Sequence, residues 1–344
     1  SNVVGGWVRF AARDGGAGSF PVLMAGTVLT AVGSPFLNGL GPTLASRFFL
    51  PTERSMVVGL VLLTANVGGG VGLAMGPAFK DSIKHLVVLQ TVLQSIQVFF
   101  LIGVQSKPPY PPSPLPPKTH NYSARLALTH LRKYPRFVVV ACAMGVMNGT
   151  VIATISLLQQ LTPFAEEFYV SICILLLNVS GVIAVIVFGR YTDKHRNYMV
   201  MFGRLSGFAL FCICMVSLGI QMNQIGIVVP FMVLAGLGGM PLVPIVTEWC
   251  VEVTYAPGLE LEATIAGVLI EVVSIAVVVL LFLLDPNTTG DYRLSSWLGC
   301  MIQSVCICTI VWNMKGDLKR FEREQSGYQA EEAESSKNLP ANDV

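Results

Sequence analysis

The sequence predicts an all-α membrane protein built from long apolar helices, and three observations support this prediction. Of the 344 residues, 53% are hydrophobic and only 12% are charged, which is about half the charged fraction of a soluble domain. The mean hydropathy is +0.65. The chain also contains repeated apolar runs of about 20 residues, the length of helix that crosses the hydrocarbon core of a bilayer.

Nine complete membrane spans are expected, with an incomplete one before them. Residues 1–10 are typical of the end of a truncated helix. The complete spans are predicted at residues 20–48, 56–78, 83–104, 137–161, 171–189, 199–220, 225–250, 263–284 and 294–314.

One long polar segment, residues 106–136, divides these spans into two groups. It has prolines at 108, 109, 111, 112, 114, 116 and 117, and proline neither donates a backbone hydrogen bond nor continues a helix. We therefore predict an extended, water-exposed linker. It separates a partial N-terminal helix bundle, residues 1–105, from a C-terminal six-helix bundle, residues 137–314.

The distribution of positive charge predicts which side of the membrane each loop occupies. Lys107, Lys118, Arg125, Arg132, Lys133 and Arg136 lie in the linker, and cytoplasmic loops are enriched in Lys and Arg. With the linker in the cytoplasm, most of the 22 Lys and Arg residues fall on that side. The tail, residues 315–344, is then cytoplasmic as well, and its charged, Ser- and Glu-rich composition predicts disorder.

A motif after the second span of the C-terminal bundle points to a particular fold. The segment Gly189-Arg-Tyr-Thr-Asp193-Lys-His-Arg196, a predicted tight cytoplasmic turn, resembles the Gly-x-x-x-Asp-(Arg/Lys)-x-x-Arg loop between helices 8 and 9 of the major facilitator superfamily. The alternative is a plain basic loop that follows the positive-inside rule. The resemblance implies two six-helix bundles that rock about a central site and open it to each side in turn.

The count of spans agrees with that fold if the first bundle is incomplete. Six predicted spans follow the linker, and about three and a half precede it. We therefore expect a major facilitator fold of 6+6 helices in which helices 1, 2 and part of 3 are missing.

Four further patches resemble the feline leukemia virus subgroup C receptor-related family (solute carrier family 49). In chain order they are Gly6-Trp7-Val8-Arg9, Pro51-Thr-Glu53-Arg54-Ser, Lys107-Pro-Pro-Tyr110-Pro-Pro-Ser113, and the acidic stretch from Glu248-Trp-Cys-Val-Glu252 to Glu262-Ala-Thr264-Ile-Ala266-Gly267. The sequence departs from the family pattern at Ala256, where the family usually has Pro, and by two extra residues near Leu259. The resemblance therefore indicates a divergent relative.

This resemblance implies a transporter of choline-like cations, vitamin B6-type compounds or haem. At three positions where choline carriers offer Tyr or Gln, this chain has Ile152, Val67 and Ser274. That difference counts against ordinary choline binding, because a quaternary ammonium is held by aromatic rings, unless the missing helix 1 carries the aromatic residues. Haem would favour a His, Cys or Met ligand, and none of the four histidines lies deep in a predicted span. The substrate stays open.

Polar residues within the spans are the candidates for a substrate or proton path, because polar groups are costly in hydrocarbon. Glu271 is the sharpest candidate, since a carboxylate about two turns into its span can hold a cation or relay a proton. The others are Asn66, Asn148, Thr150 and Gln159. The alternative for each is a contact between helices.

Charged residues at the cytoplasmic ends of the spans are the candidates for a gate. Asp193 is expected to face the N-terminus of the span 56–78, near Arg54, where the helix dipole favours an anion. The remaining gate candidates are Arg196, Glu53, Glu248 and Glu252. The alternative is a set of solvated surface charges, which contribute little individually.

Two other classes of function are less consistent with the sequence. A non-transporting membrane receptor or scaffold predicts larger outer loops than this chain has. An enzyme needs a coupled pair such as His with Asp inside the spans. We expect no cofactor, metal or nucleic acid, and the eight cysteines lack metal-binding spacing. The expected partners are a small-molecule substrate and the lipid bilayer, either of the plasma membrane or of a lysosomal or other endomembrane.

Overall fold

A computed structural model describes residues 2–12, 19–38, 44–45, 48–50, 53–79, 83–101, 124–195, 197–255 and 261–314. Within these ranges the regular elements are all helices. The helices before the linker are α1 Asn2–Ala11, α2 Ser19–Asn38, α3 Arg54–Ala78 and α4 Ile83–Leu101. Those after residue 123 are α5 Ala124–Leu131, α6 Pro135–Ser156, α7 Leu158–Leu161, α8 Glu167–His195, α9 Tyr198–Gln221, α10 Ile225–Gly239, α11 Leu242–Thr254, α12 Glu262–Leu284, α13 Pro286–Thr289 and α14 Tyr292–Asn313.

Six helical stretches in the described part of the chain are long and apolar enough to cross a membrane. They are Pro135–Ser156, Glu167–Thr192, Tyr198–Gln221, Ile225–Thr254, Thr264–Leu284 and Tyr292–Asn313. By length and apolar composition, these stretches coincide with the six spans predicted after the linker. The helices α2, α3 and α4 occupy the three complete spans predicted before the linker.

Two of the predicted spans are interrupted. The span 137–161 is divided at Leu157 into α6 and the single turn α7. The span 225–250 is divided at Met240 and Pro241 into α10 and α11. Because proline cannot donate the backbone hydrogen bond of a continuous helix, a break is favoured there. Met240 and Pro241 keep right-handed helical backbone angles, so the Gly- and Pro-rich residues 236–244 mark a local gap in the helical hydrogen bonds and not an end of the span.

The helix α8 is longer than its predicted span, 171–189, because it comprises 29 residues from Glu167 to His195. The facilitator-like segment from Gly189 onward therefore lies in the last helical turns, and the prediction of a tight turn there is wrong. The extension includes an inward-facing residue. Thr192 is fully buried, and its hydroxyl donates to the Phe188 carbonyl oxygen at 2.8 Å.

The prediction of an extended linker throughout residues 106–136 is wrong for residues 124–131, which form α5. Ala127 and Leu131, one helical turn apart, are buried in the same hydrophobic core as Phe137. The ring of His130 is also anchored, with Nε2 3.3 Å from the Thr254 carbonyl oxygen. An apolar pair at helical spacing thus docks this half of the segment on the C-terminal bundle. Residues 106–123 and the tail 315–344 lie outside the described residues.

Glycines allow α6 and α12 to approach closely. A Cβ added at Gly149 would lie 2.9 Å from the Cβ of Ala276, and a Cβ at Gly145 would overlap the side chain of Val272. The helix α6 also packs against α14. Small residues supply the close backbone contact by which helices associate in a membrane, where no hydrophobic force drives them together.

We expect Gly149→Leu to lower the stability of the protein, because the new side chain must displace α12. Overpacking of this kind costs about 1–3 kcal/mol. The measurement is the melting temperature in detergent, followed by size-exclusion chromatography. Gly207→Leu on α9 is the matched control, since a Cβ there meets nothing within 4 Å. Equal melting temperatures for the two variants would contradict the α6–α12 contact.

Candidate functional site

The helices before and after the linker meet along α3 and α8. Gly59 of α3 lies between Val185 of α8 and Pro244 of α11, so closely that an added Cβ would overlap Val185. One turn closer to the start of α3 and to the end of α8, a Cβ at Gly189 would lie 3.0 Å from the Met56 Cα. We call these two contacts the glycine contact. It lies at the end of the bundle that the charge pattern predicts to be cytoplasmic, and it leaves no space between α3 and α8 there.

Toward the middle of the helices a cavity of about 500 Å³ is present. Its wall contains residues of α3, α6, α8, α9, α10, α11, α12 and α14, so helices from both sides of the linker contribute. The described wall residues of α3 are the glycines Gly59, Gly69 and Gly70. The volume falls in the range of about 300–1,000 Å³ that is usual for pockets that bind small organic molecules.

The cavity wall is largely apolar, and none of the described residues that form it is charged or aromatic. Four methionines, Met144, Met147, Met232 and Met240, contribute flexible thioether side chains. A wall of this composition holds a small organic molecule mainly by apolar contact, and a few polar groups set its orientation.

Polar groups of the wall are concentrated where α9 packs against α14. The Ser217 Oγ lies 2.6 Å from the Ser296 Oγ and 3.1 Å from the Cys300 Sγ. All three side chains are buried and line the cavity. Gln303 follows Ser296 by two turns on the same face of α14 and is 4% exposed. The described residues offer its amide no hydrogen-bond partner, so the amide is available to a molecule in the cavity.

Two asparagines are also part of the wall, in addition to the hydroxyl side chains of Thr154, Ser156 and Ser274. Asn178 of α8 donates to the Ile174 carbonyl oxygen at 2.8 Å, and its amide lies against Gly70 of α3. Asn148 of α6 lines the cavity, and the described residues give its side chain no hydrogen bond. Asn178 is therefore anchored within its own helix, whereas the amide of Asn148 is available.

Among the predicted substrate-path residues, the structure places Asn148 in the cavity wall. Thr150 is fully buried against Gly299 of α14, and its hydroxyl donates to the Val146 carbonyl oxygen at 2.8 Å. That geometry is typical of a contact between helices, the alternative considered from the sequence.

Two other substrate-path candidates, Gln159 and Glu271, lie outside the described cavity wall. Gln159 donates to the Ala165 carbonyl oxygen at 3.3 Å and is not in the wall. Glu271 is exposed on α12, next to the wall residue Ile270, and is not itself part of the wall. The side chain of Asn66 lies outside the described part of the chain. Transport roles for these residues stay predictions.

The gate candidates differ in their environments. Glu248 and Glu252, one turn apart on α11, are 4% and 2% exposed, and neither is without a partner. Because these two carboxyl groups are buried, they are not solvated surface charges. A charge that is buried without a partner is strongly unfavourable. Glu53 is exposed in the turn before α3. Arg196 and the side chains of Arg54 and Asp193 lie outside the described residues, although Asp193 follows Gly189 by one turn of α8.

The sequence analysis did not select Gln303, Ser217, Ser296 or Asn178. One signal was available for Gln303, because an amide near the middle of an apolar span is costly in hydrocarbon. The hydroxyls gave no such signal, since Ser and Thr are common in membrane helices. Of the three positions that the resemblance matches to Tyr or Gln of choline carriers, Ile152 and Ser274 line the cavity, whereas Val67 is not among the described wall residues.

Residues 3–279 match the Major Facilitator Superfamily, and the chain therefore belongs to this superfamily of membrane proteins. The choline/ethanolamine transporter FLVCR1 of Felis catus is 26% identical over 294 residues, which are 78% of this chain and 50% of that protein. An uncharacterized MFS-type transporter of Caenorhabditis elegans is 25% identical over 289 residues, 78% of this chain and 48% of that protein. The chain spans about half the length of these relatives.

Solved structures support the same fold. The human organic anion transporter MFSD10 has a TM-score of 0.64 and 12% identity, with 90% of this chain and 75% of that chain covered. The fucose:proton symporter FucP of E. coli has a TM-score of 0.61 and 12% identity, with 92% and 82% covered. The predicted all-α major facilitator fold and the multi-pass membrane location are thus confirmed.

We predict that cysteines at Met56 and Gly189 form a disulfide under mild oxidation. A Cβ at Gly189 would lie 3.4 Å from the Met56 Cβ, close to the separation of about 3.5–4.5 Å found in disulfides. In a background without native cysteines, a protease site inserted in residues 106–123 reports the link, because the fragments stay joined until reductant is added. The control pair is Met56→Cys with Arg190→Cys, whose exposed side chain points elsewhere. Equal cross-linking of both pairs would refute the glycine contact.

Proposed function

We propose that this chain is the core of a solute transporter that moves a small organic molecule across a membrane by alternating access. The observation that carries the proposal is the cavity, which lies between helices from both sides of the linker. Because α3 and α8 touch at the glycine contact, a solute in the cavity has no path between these two helices to the end of the bundle that is predicted to be cytoplasmic. A rocking motion that separates α3 from α8 would open that path, as alternating access requires.

The substrate class follows from relatives and from the wall. Choline-like cations, vitamin B6-type compounds and haem are the candidates implied by the resemblance, and FLVCR1 is described as a choline/ethanolamine transporter. Ile152 and Ser274 support the use of the same region of the fold for binding, since both line the cavity. They also disfavour choline, because neither supplies an aromatic face for an ammonium group.

The cavity wall contains some residues of the types that bind haem iron. Thioether and thiol sulfurs are haem ligands, and Met144, Met147 and Cys300 line the cavity. The Cys300 thiol, however, is hydrogen-bonded to the Ser217 hydroxyl. An apolar methionine-lined wall also suits an aromatic ring, because thioethers make favourable contacts with ring edges.

We predict that Ile152→Trp lowers solute uptake at least tenfold, because the indole fills part of a cavity of about 500 Å³. Uptake of labelled choline, pyridoxine and haem is measured in cells that express the protein. Ile183→Trp on α8 is the matched control, since Ile183 is 57% exposed and lies outside the wall. If any of the three solutes is taken up and both variants behave alike, the cavity is not its route.

The gate proposal concerns Asp193 and Arg54. Since Gly189 lies against Met56, the last turn of α8 runs beside the first turn of α3, where the helix dipole favours a carboxylate. We expect Asp193→Arg to reduce uptake at least tenfold and Arg54→Asp in the same chain to restore part of it. Arg190→Asp in place of Arg54→Asp is the control for a general charge effect. Independent, additive losses without rescue would remove the gate.

A further inference from the structure

A buried amide on α14 is unexplained by the packing of the bundle. Gln303 is 4% exposed, and its side chain has no hydrogen bond to any described residue. A buried polar group left without a partner is unfavourable, and native proteins rarely retain one without a reason. Because the side chain lines the cavity, its amide is open to hydrogen bonds with water or with a solute there.

The surroundings of Gln303 can extend such a contact. Ser296, Cys300 and Gln303 follow one another on the cavity face of α14, and Ser217 of α9 lies beside them. A hydroxyl carries one donor and two acceptor lone pairs. The Ser217 Oγ also lies 3.1 Å from the Cys300 Sγ and 3.4 Å from the Ser296 carbonyl oxygen. The 2.6 Å bond between the two hydroxyls therefore leaves at least one lone pair of the Ser296 Oγ for a further partner. The group as a whole offers donors and acceptors but no charge.

The rest of the wall agrees with an uncharged ligand. The described wall residues include no carboxylate, Lys, Arg or His and no aromatic ring. A buried cation requires an opposite charge or an aromatic face, and a buried anion requires a cation or directed backbone donors. Met144 and Met232, in contrast, suit an apolar body of variable shape.

We propose that the cavity binds an uncharged solute whose hydrogen-bonding group docks on the Gln303 amide and the Ser217–Ser296 pair, while its apolar body lies against the methionines. This inference rests on the proposed transport function, because it names the substrate class of the same cavity. It separates this protein from carriers that select an organic cation.

The test uses two probes that share shape and differ in charge. One is choline, and the other is its neutral isostere, in which a quaternary carbon replaces the ammonium nitrogen; pyridoxine serves as a second neutral probe. Binding to the purified full-length protein is measured by calorimetry. We expect at least one neutral probe to bind, and choline to bind at least tenfold more weakly than its isostere.

The variant Gln303→Met removes the amide and keeps the length of the side chain. We expect it to weaken binding of the neutral probe about tenfold and to leave the melting temperature of the empty protein unchanged or higher, because an unpaired polar group is lost. Gln160→Met, exposed on α7 and outside the wall, is the control and should bind like the parent protein. A purely structural glutamine would lower the melting temperature on substitution.

Three results would overturn the inference: tighter binding of choline than of its isostere, unchanged neutral binding in Gln303→Met, or no binding of either neutral probe. Flux into liposomes is measured separately. If the neutral probe binds through Gln303 without crossing the membrane, transport fails while the docking site stands. If choline alone is transported, transport stands and the neutral docking site fails.

Discussion

The contact between α3 and α8 is the constraint on which the rest of the structure depends. Hydrocarbon supplies no hydrophobic force between helices, so the two groups of helices are held by close van der Waals contact through small residues. Gly59 and Gly189 give that contact at one end. Farther along α3, Gly69 and Gly70 face the cavity, and the absence of side chains leaves space. Gly70 also lies against Asn178 of α8, so glycines keep α3 and α8 in contact beyond the glycine contact while they also line the cavity.

Polar side chains in this bundle fall into two sets with different meanings. In one set the side chain bonds to the carbonyl oxygen four residues earlier in its own helix, as in Thr150 to Val146, Thr247 to Val243 and Thr254 to Cys250. Such groups are satisfied without any ligand, and they account for most hydroxyls buried in lipid-facing or interior helices. The amides of Asn148 and Gln303 form the other set, since the described structure does not satisfy them. Both amides line the cavity, whereas two other polar atoms without a partner, Arg9 Nε and Gln94 Oε1, are buried in α1 and α4, outside the described cavity wall.

Much of the fold could be predicted from the sequence, because an apolar run of about 20 residues leaves the chain few options other than a membrane helix. The break at Pro241 follows from proline chemistry in the same way. Other features depend on contacts distant in sequence. The linker helix α5 exists because Ala127 and Leu131 meet the core of the C-terminal bundle. The direction in which a residue faces is harder still, since a helix that is apolar all round gives no sequence signal of its rotation. Ile270 lines the cavity and the adjacent Glu271 does not, so the candidate site was predicted only in part, at Asn148.

The fold and the wall answer different questions about transport. The solved structures of similar fold include a fucose symporter and an organic anion transporter, so the fold itself selects no chemical class. Selection must come from the wall, and its described residues are uncharged. An uncharged wall with an uncharged solute carries no net charge when the site turns from one side of the membrane to the other. Since moving one elementary charge through 100 mV involves about 2.3 kcal/mol, a carrier of this kind would respond to the solute gradient and not to the membrane potential. Any response to the membrane potential would then have to come from charged groups away from the wall. Among the described charged residues, Glu271 on the exposed face of α12 is the nearest in sequence to a wall residue, because it follows Ile270.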